Sequence, residues 1–217
     1  MPNEATTKIS VYLEVGGKRA FASAAGWLGW SRSGKDEHAA LEALAAYAPR
    51  YAAVAKLARV RLPAGEPVFK VVERMDGNAT TDFGAPGIPA KDESKPLTPQ
   101  EAARLRDLVE ACWAYLDGVI AKAPAELRKG PRGGGRDRDP IFDHVLGAEV
   151  EYAKGIGLRL KQPDGKDKPA IRAFRKTLLE GFDNPNRTEK WPIPFAARRT
   201  AWHALDHAWE IEDRSSR

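Results

Sequence analysis

From Thr98 onward the chain repeats one pattern four times: a helix-start signal, then apolar side chains three and four residues apart. Thr98-Pro99-Gln100-Glu101 offers an N-cap hydroxyl, a proline that needs no donor and a reciprocal carboxylate. Leu105, Leu108, Val109, Cys112, Trp113, Leu116 and Val119 then form one apolar stripe. A second helix is expected to start at Asp139-Pro140, as N-cap and first helical residue, and carries Ile141, Val145, Leu146 and Tyr152. A third covers about 168–182 through Ile171, Phe174, Leu178 and Leu179. A fourth follows Trp191-Pro192-Ile193-Pro194 and runs to about Asp213. A one-sided apolar helix must bury its stripe, and four of this size do so against one another as a bundle.

The part before residue 98 has a different period. Ile9, Val11 and Leu13 alternate with polar residues, Gly16-Gly17 supplies a turn, and residues 18–24 return as a second strand. Residues 26–34 read as a turn or bulge and a short third strand. The Ala- and Leu-rich stretch after His38 is strongly helical until Pro49 kinks or breaks it. Residues 67–75 suggest one more strand, and 77–96 have the Gly, Pro, Asn and Asp density of a loop. The expected fold class is α+β: a small β-β-β-α module over residues 1–62, a strand and linker over 63–97, and a four-helix bundle over 98–217.

Bulk properties narrow the function classes. No run approaches the roughly 20 apolar residues that span a bilayer. Residues 1–15 lack a basic segment followed by an apolar one, so no signal peptide is read, and a cytoplasmic location is the default expectation. One cysteine, Cys112, excludes an internal disulfide, and its place on an apolar stripe suggests a buried, inert thiol. The net charge of +5 suits an anionic ligand. The basic residues lack the aromatic interleaving of single-strand binders, so nucleic acid is not the expected partner.

Three of the four histidines point to a metal. His203 and His207 are four apart on the last helix, hence on one face and one turn apart. His144 lies about a turn inside the second helix, on a side carrying the small residues Gly147 and Ala148. Three imidazoles over one divalent ion leave coordination positions open, as in a catalytic site. Zinc, nickel and iron all suit such ligands. Glu210, three residues past His207, is the candidate catalytic carboxylate: a fourth ligand, a base, or a partner that orients an imidazole. Asp206, three residues past His203, is placed to orient one imidazole. The alternative is a set of satisfied polar residues at a helix interface. Trp202 and Trp209 read as core or rim aromatics. No H-E-x-x-H, G-x-S-x-G or P-loop pattern occurs.

The order of four helices, with His144 early in the second and His203 and His207 in the last, resembles the DinB/YfiT-like superfamily of bacterial metal-binding bundles over about residues 98–213. The resemblance implies that these three residues form the metal triad. It also implies a thiol S-transferase, isomerase or hydrolase in which the metal activates water or the thiol of a cofactor such as mycothiol, and it makes homodimers an expectation. Residues 8–60, through Gly26-Trp27-Leu28-Gly29 and the following Ser and Gly, resemble the HicB-like antitoxin fold. That resemblance implies a protein or nucleic-acid partner and a non-enzymatic binding role as the competing function. Before the His144 helix, the glycine-rich stretch with Arg132, Arg136 and Arg138 offers backbone N–H groups and guanidinium forks for the carboxylates of a thiol cofactor or an acidic small-molecule substrate. A solvated surface loop is the other reading of it. Residues 80–84 are expected to cover the site.

Overall fold

The computed structural model describes residues 8–130, 134–183 and 190–215. Alternation builds β1 (Lys8–Val15), with Ile9, Val11 and Leu13 on one face and Tyr12 and Glu14 on the other. It pairs antiparallel with β2 (Ala20–Ala24), and β2 pairs antiparallel with β3 (Ser31–Gly34). The chain then crosses through α1 (Glu37–Ala46) and α2 (Ala48–Leu57) and returns as β4 (Val68–Asp76), parallel to β1. The sheet order is β3-β2-β1-β4. Pro49 falls in the first turn of α2, where its missing N–H is tolerated, and so separates two helices instead of kinking one.

The strand expected between residues 63 and 97 therefore completes the sheet of the first module. Its Phe69 and Val71 lie opposite Ile9 and Val11. Trp30 plugs the same side: it is 1% exposed, donates its indole N–H to the Leu44 carbonyl at 2.9 Å and stacks on Tyr51 with centroids 5.1 Å apart.

The segment read as loop contains a short helix, α3 (Ala79–Phe83), and a 3-10 turn at Lys91–Ser94. Asn78 nucleates α3 by accepting the Thr80 N–H at 2.8 Å, while the Thr81 hydroxyl accepts the Asn78 N–H at 2.8 Å. Local side-chain caps, rather than apolar periodicity, make these turns.

Four longer helices follow: α4 (Pro99–Lys122), α5 (Arg138–Gly155), α6 (Lys168–Phe182) and α7 (Ile193–Ser215). The Thr98–Glu101 capping box forms as expected. Helix α5 starts at Arg138, one residue ahead of the expected N-cap Asp139. The residue before it, Asp137, does not cap. It accepts the Leu127 N–H at 3.1 Å and the Lys129 ammonium at 2.7 Å, and so ties the preceding loop to α5.

Helix α7 is not one-sided: 15 of its 23 residues are buried. Trp202 meets Phe21 of β2 edge-on at 5.9 Å, Asp206 pairs with Arg32 of β3 at 2.7 Å, and Trp209 packs on Tyr47 at 4.9 Å. Its opposite side lies on α4 and α5. Gly29 (φ +86°) lets the β2–β3 turn approach this layer: a Cβ there would meet Leu205 at 2.6 Å and the Cys112 sulfur at 2.9 Å. One continuous core runs from Leu13 and Trp30 through Leu116 and Ile141 to Leu205 and Trp209. The described parts of the sheet module and of the helical region thus share one apolar interior. Among the described residues, no helix is long and apolar enough to cross a membrane.

Two buried carboxylates set stability. Glu93 receives Arg198 through both oxygens, at 2.6 and 2.8 Å, and accepts the Ala90 N–H at 2.8 Å. Replacing Glu93 by Ala strands a buried guanidinium, and urea unfolding should show a loss of about 3–5 kcal/mol. Glu149 accepts the Trp113 indole N–H at 2.6 Å while its other oxygen has no partner. Burial pushes its carboxyl up to about 7 from 4.5. Between those values the folded protein holds a proton that the unfolded chain releases, so stability falls as pH rises through this window. Glu149→Gln keeps the acceptor and removes the ionisation. Urea midpoints at pH 5 and pH 8 should converge in the variant, which gains up to about 3 kcal/mol at the higher pH. An unchanged pH dependence would count against the assignment.

Candidate metal centre

His144 projects from the second turn of α5, and His203 and His207 from successive turns of α7. The two helices pack directly, and the three rings converge. Ring centroids are 5.0 Å apart for His144 and His203, 5.1 Å for His144 and His207, and 4.6 Å for His203 and His207. One nitrogen from each lies within 4.8 Å of the others. The Nε2 atoms of His203 and His207 are 3.2 Å apart. Two nitrogens bound at tetrahedral zinc distances lie about 3.3 Å apart, so this pair has the spacing of two ligands on one ion, and a His144 nitrogen lies within 4.8 Å of both residues' ligand atoms.

The electrostatics suit ligands. His203 is buried, and that burial holds its imidazolium well below the usual range; the charges of His207, His144, Arg199 and Arg136 add to the effect. His144 is lowered by burial, then by His207 and Arg136, against the opposing Glu210. Both are therefore neutral imidazoles at neutral pH, the form that binds metal.

Glu210 stands behind His207. One oxygen lies 2.8 Å from His207 Nδ1, and the other accepts from Arg214 at 2.6 Å. The hydrogen bond to His207, with Arg214 assisting, holds this carboxyl below its ordinary value despite burial. A carboxylate on Nδ1 fixes the proton there and leaves Nε2 free for a metal. Of the three roles open to Glu210, the geometry supports orientation of the ligand. Asp206 does not orient His203, as its carboxylate is taken by Arg32. A step of three residues from His203 carries it round α7 toward β3, and His203 Nδ1 is buried without a partner.

The arginines of the glycine-rich stretch divide. Arg132 lies outside the described residues. Arg138 donates to Asp139 at 2.7 Å and to the Ala123 carbonyl at 2.8 Å, so it secures the start of α5 and is not free for a ligand. Arg136 is exposed, acts on both His144 and His203, and has no ion pair among the described residues. The stretch is anchored beside the triad because Arg214 donates to the Arg128 carbonyl at 2.8 Å and Arg128 N–H returns to the Arg214 carbonyl at 3.0 Å. The helix over residues 79–83 is pinned elsewhere: Asp82 accepts the Lys18 N–H at 2.7 Å on the β1–β2 turn, and Thr81 donates to Glu14.

Two neighbours of the triad escaped sequence reasoning. The Tyr152 ring lies 5.9 Å from His203, and Arg199, one turn before His203, bonds to the Tyr152 hydroxyl at 3.4 Å. The four-residue step from 199 to 203 to 207 was the available signal. A cavity of about 410 Å³ lined by Leu97, Arg106 and Phe182 touches none of the three histidines. The triad sits at a half-buried surface where His144 and His207 stay partly exposed. Cys112 is fully buried, and that burial raises its thiol pKa, so it is inert. No family model, curated protein or solved structure matches this chain.

Proposed function

We propose that the protein is a metal-dependent enzyme in which His144, His203 and His207 hold one divalent ion, zinc, nickel or iron. The observation that carries this reading is the convergence of three imidazole nitrogens within 4.8 Å, with Glu210 set on the back of His207. The 3.2 Å contact between the Nε2 atoms of His203 and His207 also satisfies an N–H···N hydrogen bond, so it is the approach of a third imidazole, His144, that favours a metal over a paired interface. A divalent ion held there lowers the pKa of a bound thiol or water and supplies a nucleophile at neutral pH. The three imidazoles leave that ion open positions on the partly exposed side. Glu210 holds the His207 tautomer, and Arg214 holds Glu210. Arg136, with no ion pair among the described residues, adds positive field at the rim that steers anions toward it, an acidic substrate or a carboxylate-bearing thiol such as bacillithiol or glutathione among them. The helix order and histidine placement support kinship with the DinB-like superfamily, and with it a thiol S-transferase, isomerase or hydrolase.

A second reading, a non-enzymatic binding protein acting through its sheet, draws on the open edge of β4, where Val68 and Val72 are exposed. Such a protein would keep its partner affinity after all three histidines are replaced.

Elemental analysis of tag-free protein should find about one equivalent of metal, and none in the His144/His203/His207→Ala triple variant. Metal absent from both, with added Zn²⁺ and Ni²⁺ also failing to bind, would end the enzyme reading. Glu210→Gln should keep the fold and weaken metal binding about 10- to 100-fold in a competitive chelator titration. Unchanged affinity would deny Glu210 its orienting role.

A further inference from the structure

We propose that Arg199 makes the triad selective for a ligand that carries a carboxylate a few bonds away from the atom it presents to the metal. This rests on the metal reading above. Arg199 is 8% exposed and forms no ion pair among the described residues. Its neighbour Arg198, 3% exposed, is neutralised by both oxygens of Glu93. The fold thus supplies a carboxylate to one of two adjacent buried guanidiniums and withholds it from the other. Arg199 is held instead between aromatic faces, 5.1 Å from Tyr152, 5.5 Å from Trp202 and 5.8 Å from Trp191. It donates to the Pro86 carbonyl and the Tyr152 hydroxyl, both neutral acceptors.

Unused donors accumulate here. Arg199 Nε and Trp202 Nε1 are buried donors with no acceptor, and the equally unpartnered His203 Nδ1 becomes a third once its Nε2 takes a metal. Their side chains are close neighbours: the Trp202 and His203 rings are 5.7 Å apart, and Tyr152 bridges Arg199 to His203 with a ring separation of 5.9 Å. Buried donors without acceptors are costly, and an acceptor-rich anion relieves all of them together. The charge balance agrees. Glu210 is already offset by Arg214, whereas neither Arg136 nor Arg199 has an ion pair among the described residues, and both act on His203, where a divalent ion would add further positive charge. The turn from His203 back to Arg199 rises about 6 Å along the helix axis. A carboxylate carried at that reach from the metal-bound atom meets the guanidinium.

The test uses full-length protein loaded with Co²⁺, whose visible absorption reports ligand entry. It is titrated with 3-mercaptopropionate and with 2-mercaptoethanol, two small thiols that differ in the carboxylate. The parent should prefer the carboxylate by about tenfold or more, and Arg199→Gln should bring the ratio to roughly one, the size of one charge-assisted hydrogen bond. No preference in the parent, or the same preference in Arg199→Gln, overturns the assignment while leaving the metal site standing. No cobalt spectrum in the parent removes both readings. Should Arg199→Gln fail to fold, Arg136→Gln decides at an exposed position: a retained preference supports Arg199, and a lost one transfers the selectivity to Arg136 and overturns the proposal.

Discussion

A helix enclosed on most of its circumference has to answer its own charges from inside the protein, and α7 is such a helix. Trp202 is committed to the sheet, Leu205 to the β2–β3 turn and Trp209 to the first helical pair. With those directions occupied, the direction left to His203 and His207 is the one toward α5, where His144 waits. The convergence of the histidines is a consequence of how α7 is wedged. Three of its buried or half-buried charges are answered within the fold, Arg198 by Glu93, Asp206 by Arg32 and Glu210 by Arg214, while Arg199 meets no carboxylate among the described residues.

What was legible in the sequence was what is local. Thr98 and Glu101 announced a helix start because a capping box closes within four residues. The i,i+4 histidines shared a face because helix geometry leaves no other choice. The start of α5 was misplaced because Asp137, the residue before it, spends its carboxylate on Leu127 and Lys129, a contact made across a loop. Asp206 was misassigned for the same reason, since its partner lies 174 residues away. Arg198 and Arg199 are indistinguishable as letters. Only the fold shows that a buried carboxylate meets the first and three aromatic rings meet the second.

The triad also shows how rigidity is distributed. Its three imidazoles come from packed helices, which hold side chains more narrowly than loops do. Beside it, Arg128 is held by Arg214 through one side-chain and one backbone hydrogen bond, and Leu127 and Lys129 are held by Asp137. Arg214 thus links the loop to the carboxylate behind His207, so that the triad and the rim share one fixed point.

The parallel pairing of β1 with β4 and the packing of Trp202 on Phe21 also govern when the chain can fold. The sheet lies against α7, which comes far later in the sequence, so α7 must be made before the sheet has that partner. Contacts of such sequence separation are entropically slow to close. Until α7 arrives, Phe21 and the close-packed turn at Gly29 lie uncovered to solvent and to any chaperone near the exit tunnel.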